Sequence, residues 1–230
     1  MFCNNCGSNM PDGVKFCTNC GAKLEVPAAV PQKRKALIAP AILALLSALL
    51  FLFMWATNFR AVGYYASVMR DEPFYAVLLV RIMSGPLLSM LAALFAALFC
   101  LTQYRKGKTS LLGLSALMLV LNYLGAVLYF IALALFSMFS NSFGVSLSWS
   151  WPIYCVLDLA CGVLSFILMI GAFKGKVLKG VAVILGCFML VVELFSAVTG
   201  GHTLSAVADT LAGVSLAVAI LLIGILAKKK

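Results

Sequence analysis

Residues Ala36–Trp55 read ALIAPAILALLSALLFLFMW, and this run contains no charged side chain. As a helix, a run of about 20 apolar residues is long enough to cross the hydrocarbon core of a bilayer, which is roughly 30 Å thick. A helix is required there because lipid offers the backbone no hydrogen-bond partner. The run therefore predicts a membrane-spanning helix.

Five further apolar runs follow, each long enough for a membrane span. They are Ile82–Leu101, Leu111–Phe139, Trp151–Phe173, Val177–Ser196 and Leu204–Leu226. The first of these has two candidate starts, because the apolar segment 73–80 precedes Arg81. Either that segment is a separate interfacial piece, or one long, tilted helix begins near Pro73 and contains Arg81. We favour the long helix.

The composition agrees with a chain that lies mostly in lipid. Hydrophobic residues make up 64% of the 230 residues and charged residues only 10%, and the mean hydropathy is +1.10. Soluble domains carry about 25% charged residues. We therefore predict an all-α polytopic membrane protein, with six transmembrane helices within residues 36–230.

Lysine and arginine are distributed unequally between the two sides of this membrane domain. With six spans, only Arg60, Arg70 and Arg81 of the 17 cations fall on one side. Loops rich in Lys and Arg stay in the cytoplasm, so both termini of this cell-membrane protein are predicted to be cytoplasmic. The net charge of +10 is then explained by topology and by anionic lipid headgroups rather than by nucleic acid.

A short polar segment, residues 1–24, precedes the first span, and the Pro/Ala and basic linker EVPAAVPQKRK, residues 25–35, joins the two. This segment contains two C-x-x-C pairs, and each pair is followed by a glycine, Gly7 or Gly21. Both glycines permit the positive φ that turns backbone N–H groups towards sulfur. The paired residues are Cys3, Cys6, Cys17 and Cys20.

A structural Zn²⁺ is the ion that this pattern favours, because zinc binds four such sulfurs in a tetrahedron. Disulfides are disfavoured, since the topology places the thiols in the reducing cytosol. A rubredoxin-like iron site would use the same four sulfurs, and the ligands alone do not distinguish the two metals. A segment this small cannot build its own core, so the metal is expected to supply its folding energy.

The phrase F-C-x-x-C-G, repeated later as F-C-x-x-C-G-x-x-L, resembles the short N-terminal zinc-ribbon domain of many bacterial and archaeal polytopic membrane proteins. The resemblance covers residues 1–24 alone and implies that all four cysteines bind one zinc ion. The family often has proline inside each knuckle, where this chain has Asn4-Asn5 and Thr18-Asn19. That departure leaves the ligands intact. Because such ribbons are attached to many different partners, the resemblance implies no activity for residues 36–230.

Three carboxylates fall at about the same level of the later spans, in the outer part of the membrane: Asp158, Glu193 and Asp209. Arg81 is expected just above them. Asp158 and Asp209 share helical stripes with small residues, which usually face other helices, so both are expected to point inwards. One hypothesis is a single polar site for a cation, a proton or an amine, with Arg81 as counter-charge. In the other hypothesis, each acid separately reaches the nearby headgroup level or a neighbouring helix.

Two hypotheses of function follow from these features. In the first, the ribbon is an interaction or stabilising module of a membrane protein of unknown process, with a cytoplasmic protein as its partner. In the second, a small transporter or channel uses the outer carboxylate layer. An enzyme is not expected, because the sequence contains no recognisable catalytic motif. Nucleic acid is not an expected partner, since the ribbon offers only Lys15 and Lys23 to phosphates.

Overall fold

The computed structural model describes residues 3, 5–9, 14, 16–22, 37–68, 73–102, 109–139, 150–199 and 204–226. The linker predicted at residues 25–35 lies outside the described residues. The chain divides into two units, one within residues 1–35 and one within residues 36–230. Each unit has its own cluster of buried side chains.

The second unit contains six helices within the described residues, and each is long and apolar enough to cross a membrane. They are α1 (Ile38–Val68), α2 (Pro73–Thr102), α3 (Ser110–Phe139), α4 (Ser150–Phe173), α5 (Lys179–Thr199) and α6 (Leu204–Leu226). The predicted fold class, an all-α polytopic membrane protein with six transmembrane helices, is confirmed.

Two helices, α1 and α2, extend beyond the apolar runs. α2 begins at Pro73 and contains Arg81, which fits the tolerance of proline at the first position of a helix. α1 runs on beyond Trp55 as far as Val68. The segment 56–68 contains no proline and a single glycine, so nothing in its composition stops the helix.

The six helices form a ring in which each helix packs against the next one along the chain, and α6 packs against α1. The α1–α2, α3–α4 and α5–α6 pairs share the most extensive interfaces, and α4–α5 is the smallest interface between helices that follow one another in the chain. α2 and α6 also touch across the ring. Neighbouring segments of the sequence are therefore neighbours in space, as short connections require.

Small residues allow the helices to approach closely, since van der Waals packing rather than hydrophobicity associates helices in lipid. The closest example is the α5–α6 pair. A Cβ added at Gly186 would lie 2.9 Å from the backbone nitrogen of Leu221, and one at Gly224 would lie 2.9 Å from the backbone nitrogen of Val183. Backbone therefore meets backbone at both glycines.

Buried serines add hydrogen bonds between helices. Ser47 on α1 donates to the carbonyl of Ala212 on α6 at 2.8 Å, and Ser115 on α3 donates to the carbonyl of Ala92 on α2 at 2.8 Å. Such bonds satisfy hydroxyl groups that have no water within the bilayer.

Candidate metal centre and polar groups of the membrane domain

The two C-x-x-C pairs fold into two turns with the same backbone pattern. In the first turn the N–H of Gly7 donates to the carbonyl of Cys3 at 2.8 Å, and in the second the N–H of Gly21 donates to the carbonyl of Cys17 at 2.9 Å. Gly7 has a φ of 73° and Gly21 a φ of 69°. Both glycines therefore adopt the left-handed conformation that the sequence predicted, where a side chain would be strained.

These turns bring the four cysteine sulfurs to one point. All four lie within 4.8 Å of one another, with 3.5 Å between the sulfurs of Cys6 and Cys17 and 3.7 Å between those of Cys3 and Cys20. Four sulfurs placed 2.3 Å from a tetrahedral zinc would be about 3.8 Å apart. The cysteines are free rather than disulfide-bonded. The donor set therefore fits one Zn²⁺ ion, which would hold the four sulfurs as thiolates.

The ligands differ in their exposure. The first cysteine of each pair, Cys3 or Cys17, is buried, and Val14 and Ala22 pack against this small cluster. The second cysteine of each pair, Cys6 or Cys20, is exposed. One side of the metal centre is thus covered by the protein, and the other side faces the surroundings of the ribbon.

The exposed sulfurs receive hydrogen bonds from side chains that the sequence did not single out. The Asn5 amide of the first turn donates to Cys20 Sγ at 3.8 Å, and the Asn19 amide of the second turn donates to Cys6 Sγ at 3.9 Å. Asn5 and Asn19 each stand directly before the second cysteine of their own pair. From these equivalent positions in the sequence, the reciprocal pairing could have been predicted.

The hydrogen bonds also set the acidity of the exposed thiols. The Ser8 hydroxyl, together with the Ser8 backbone N–H, lowers the pKa of Cys6 to about 6. The backbone N–H of Ala22 lowers the pKa of Cys20, but the thiols of Cys17 and Cys6 oppose it, and the pKa is raised to about 11. With four protein ligands the ion would have no open position, so the arrangement suits a structural role rather than hydrolysis.

The three predicted carboxylates of the membrane domain differ in their exposure and contacts. Asp158 on α4 is only 7% exposed. Glu193 on α5 is half-buried, and its carboxylate fills the space that a side chain at Gly213 on α6 would need. Asp209 has an exposed side chain.

Arg81 binds an amide rather than a carboxylate. Its guanidinium donates to Asn122 Oδ1 at 2.8 Å and to the Asn122 carbonyl at 3.3 Å, and the Asn122 amide donates to Ser89 Oγ at 3.1 Å. A Cβ at Gly85 would lie 3.1 Å from the guanidinium, so the absence of a side chain there makes room for Arg81. The sequence did not identify Asn122 as the partner of Arg81.

The three acids do not gather as ligands of one ion. Among the described residues, the cysteine cluster is the one group of His, Cys, Asp or Glu side chains close enough to hold a metal. The charges nevertheless act on one another: Arg81 interacts electrostatically with Asp158 and Asp209, and Glu193 with both of those acids. The structure thus links these residues by charge.

Comparison with known families agrees with the geometry of the cysteines. The family model of the zinc-ribbon domain matches residues 2–24, the segment that carries the four sulfurs. No curated protein and no solved structure matches the chain. Residues 2–24 are therefore a zinc-ribbon domain for one structural zinc ion, and the same chain continues into six membrane-spanning helices.

Proposed function

We propose that this integral membrane protein is not an enzyme and that its zinc ribbon docks a cytoplasmic protein. The observation that carries the proposal is the aromatic side chain of Phe16, which is 57% exposed on the ribbon. Aromatic residues are enriched at protein interfaces and often contribute most of the binding energy there. An exposed phenylalanine on a domain this small therefore favours a role in binding.

The metal supports docking by fixing the shape of the ribbon. Apart from the sulfur ligands, the buried cluster involves only Val14 and Ala22 among the described residues of the ribbon, and a segment this small buries too little apolar surface to hold a fold by itself. Zinc binding supplies the missing folding energy in domains of this kind. Loss of zinc is therefore expected to remove the ordered surface on which Phe16 is presented.

The test is affinity capture from cytosol with detergent-purified wild-type protein, Phe16→Ala and Cys17→Ser, with zinc content measured for each. Docking predicts that Phe16→Ala keeps about one zinc per chain and loses the captured protein, because the metal ligands are untouched. Cys17→Ser is expected to lose both. Phe53→Ala removes an exposed phenylalanine from α1 and serves as the control that keeps capture.

Equal capture by wild type and Phe16→Ala would contradict a docking role for that side chain. If Cys17→Ser also captured as much as wild type, the ribbon would be a stabilising module. Thermal unfolding of the same three proteins then measures how much stability the zinc-bound ribbon contributes.

The proposed cytoplasmic location of the ribbon rests on the distribution of Lys and Arg along the chain. A fluorescent reporter that folds only in the cytoplasm, fused after Lys230, is expected to be active in bacterial cells. A fusion placed between α3 and α4 is the matched control and is expected to be dark. The opposite pair of results would reverse the proposed orientation.

A second candidate function is that of a small transporter or channel, and the observation that favours it is Asp158. This residue is 7% exposed, and an acid inside a membrane domain is energetically expensive, so its presence points to a role with a proton or ion. Proton uptake into proteoliposomes, followed with a pH-sensitive dye, is expected to fall in Asp158→Asn and to persist in Cys17→Ser. Uptake equal to that of empty liposomes would remove this candidate.

A further inference from the structure

The two halves of the metal centre are nearly equivalent, residue by residue. Cys6 of the first turn corresponds to Cys20 of the second, and Asn5 corresponds to Asn19. Both sulfurs are exposed, and each accepts a hydrogen bond from the asparagine of the opposite turn. Exposure and the amide bonds therefore do not distinguish the two ligands.

The two turns differ at the residue that lies two positions after each of these cysteines. Ser8 places its hydroxyl 2.9 Å from Cys6 Sγ, whereas the corresponding residue in the second turn is Ala22, which has no hydroxyl. A zinc-bound Cys6 is a thiolate, so Ser8 must be the donor in this bond. Cys20 therefore lacks one donor that Cys6 has.

Asn19 directs the Ser8 hydroxyl towards sulfur. Its amide donates to Ser8 Oγ at 3.0 Å, which occupies a lone pair of that oxygen and leaves the hydroxyl hydrogen for Cys6. The bond from Ser8 to Cys6 is thus held by a side chain of the other turn and does not depend on a freely rotating hydroxyl.

Hydrogen bonds to a metal-bound thiolate change its chemistry. The sulfur lone pair that accepts a hydrogen bond is less available to an electrophile, and such outer contacts tune the basicity of metal ligands. The buried sulfurs of Cys3 and Cys17 are less accessible to a reagent. Among the two exposed sulfurs, the one without the serine donor is the stronger nucleophile.

We propose that Cys20 is the ligand of the zinc ribbon that reacts first with a soft carbon electrophile, and that Ser8 and Asn19 protect Cys6. With N-ethylmaleimide, the Cys20 sulfur forms a C–S bond as the C=C π bond of the maleimide breaks, and the second alkene carbon takes a proton from water. The product is a neutral thioether, which holds zinc more weakly than a thiolate does. Modification of Cys20 is therefore the step that opens the metal centre.

The experiment treats the zinc-loaded, full-length protein in detergent with less than one equivalent of N-ethylmaleimide and reads the products by peptide mass spectrometry. Cleavage after Lys15 and Lys23 separates Cys6 from Cys20, and fragment ions distinguish the two cysteines within each peptide. Cys20 is expected to react about five-fold faster than Cys6, the ratio that corresponds to one hydrogen bond of ordinary strength. Zinc release, followed with a chromogenic indicator, is expected to keep pace with modification of Cys20.

Two substitutions at the position where the turns differ, Ser8 in the first turn and Ala22 in the second, test the assignment. Ser8→Ala is expected to bring the rate of Cys6 up to that of Cys20, and Ala22→Ser is expected to slow Cys20 towards the rate of Cys6. The zinc content of each variant is measured first. If either variant fails to bind zinc, the ratio of the Cys20 and Cys6 labelling rates in wild type still tests the proposal. Equal labelling of the two cysteines in wild type, or faster labelling of Cys6, would overturn the proposal. An order that neither variant changes would also overturn the role of Ser8.

Discussion

The side-chain amide of Asn58 on α1 donates to the backbone carbonyl of Ile82 on α2 at 3.3 Å. In a regular helix this carbonyl would accept from the N–H of the residue four positions later, which here is Pro86. Proline has no N–H, so the carbonyl is left without its helical partner. Within a bilayer such a group needs another donor, and the neighbouring helix supplies it.

Replacement of Asn58 by valine is expected to destabilise the membrane domain by about 0.6 kcal/mol, the average for hydrogen bonds between membrane helices, and by no more than about 1.7 kcal/mol. The Ile82 carbonyl would then have no donor. The measurement is the free energy of unfolding in mixed micelles titrated with a denaturing detergent. Thr57→Val is the matched control, because Thr57 bonds the carbonyl of Met54 in its own helix.

The same substitution in a Pro86→Ala background shows whether the proline is the cause. Alanine restores the helical N–H, so loss of Asn58 is expected to cost less there than in wild type. An equal loss in both backgrounds would show that Asn58 stabilises the fold in some other way.

Glycines at the α5–α6 interface are expected to differ according to what a new side chain would meet. Gly186→Ala brings a Cβ against the Leu221 backbone, and overpacking of this kind costs about 1 to 3 kcal/mol. Gly213→Ala meets only the carboxylate of Glu193, the end of a flexible side chain that can swing aside, so a smaller loss is expected. Gly180→Ala has open space and is the control. Unfolding free energies that rank in another order would contradict this account of the interface.

The bond between Arg81 and Asn122 is expected to stabilise α2 against α3. Asn122→Leu removes the side-chain acceptor of the guanidinium and keeps only the longer bond to the Asn122 carbonyl. Leaving a partly buried polar group poorly satisfied costs about 1 to 3 kcal/mol. Asn122→Asp keeps an acceptor oxygen at the same place and is expected to retain most of the stability. Unfolding of both variants in mixed micelles decides the point, and equal losses would show that Arg81 does not depend on this acceptor.

The sequence predicted the features that depend on local pattern. The apolar runs identified the six helices because lipid enforces helix wherever a run is long enough. The metal ligands of the ribbon could be predicted equally well, since a C-x-x-C turn positions its own two sulfurs. Hydrogen-bond partners that lie on different helices could not be predicted in the same way. Asn122 and Arg81 meet only because α2 and α3 pack in one particular register, and the sequence contains no local trace of that register.

Acid is expected to release zinc from the ribbon at a higher pH when Ser8 is replaced by alanine. The Ser8 hydroxyl and backbone N–H lower the pKa of Cys6 from 9.0 to about 6. A thiol whose pKa is lowered by folding contributes stability that is complete above its unfolded pKa. That contribution is lost as the pH falls through the folded pKa. In the zinc-free ribbon, the contribution of Cys6 is therefore lost between about pH 9 and pH 6.

Without the serine hydroxyl, the pKa of Cys6 rises and its protonation competes with zinc at a higher pH, because the metal binds only the thiolate. A pH titration of the purified protein with a chromogenic zinc indicator measures the midpoint of release. Ser8→Thr keeps a hydroxyl at this position and is expected to release zinc at the wild-type midpoint. A midpoint of Ser8→Ala that equals the wild-type value, or lies below it, would show that the hydroxyl does not stabilise the Cys6 thiolate.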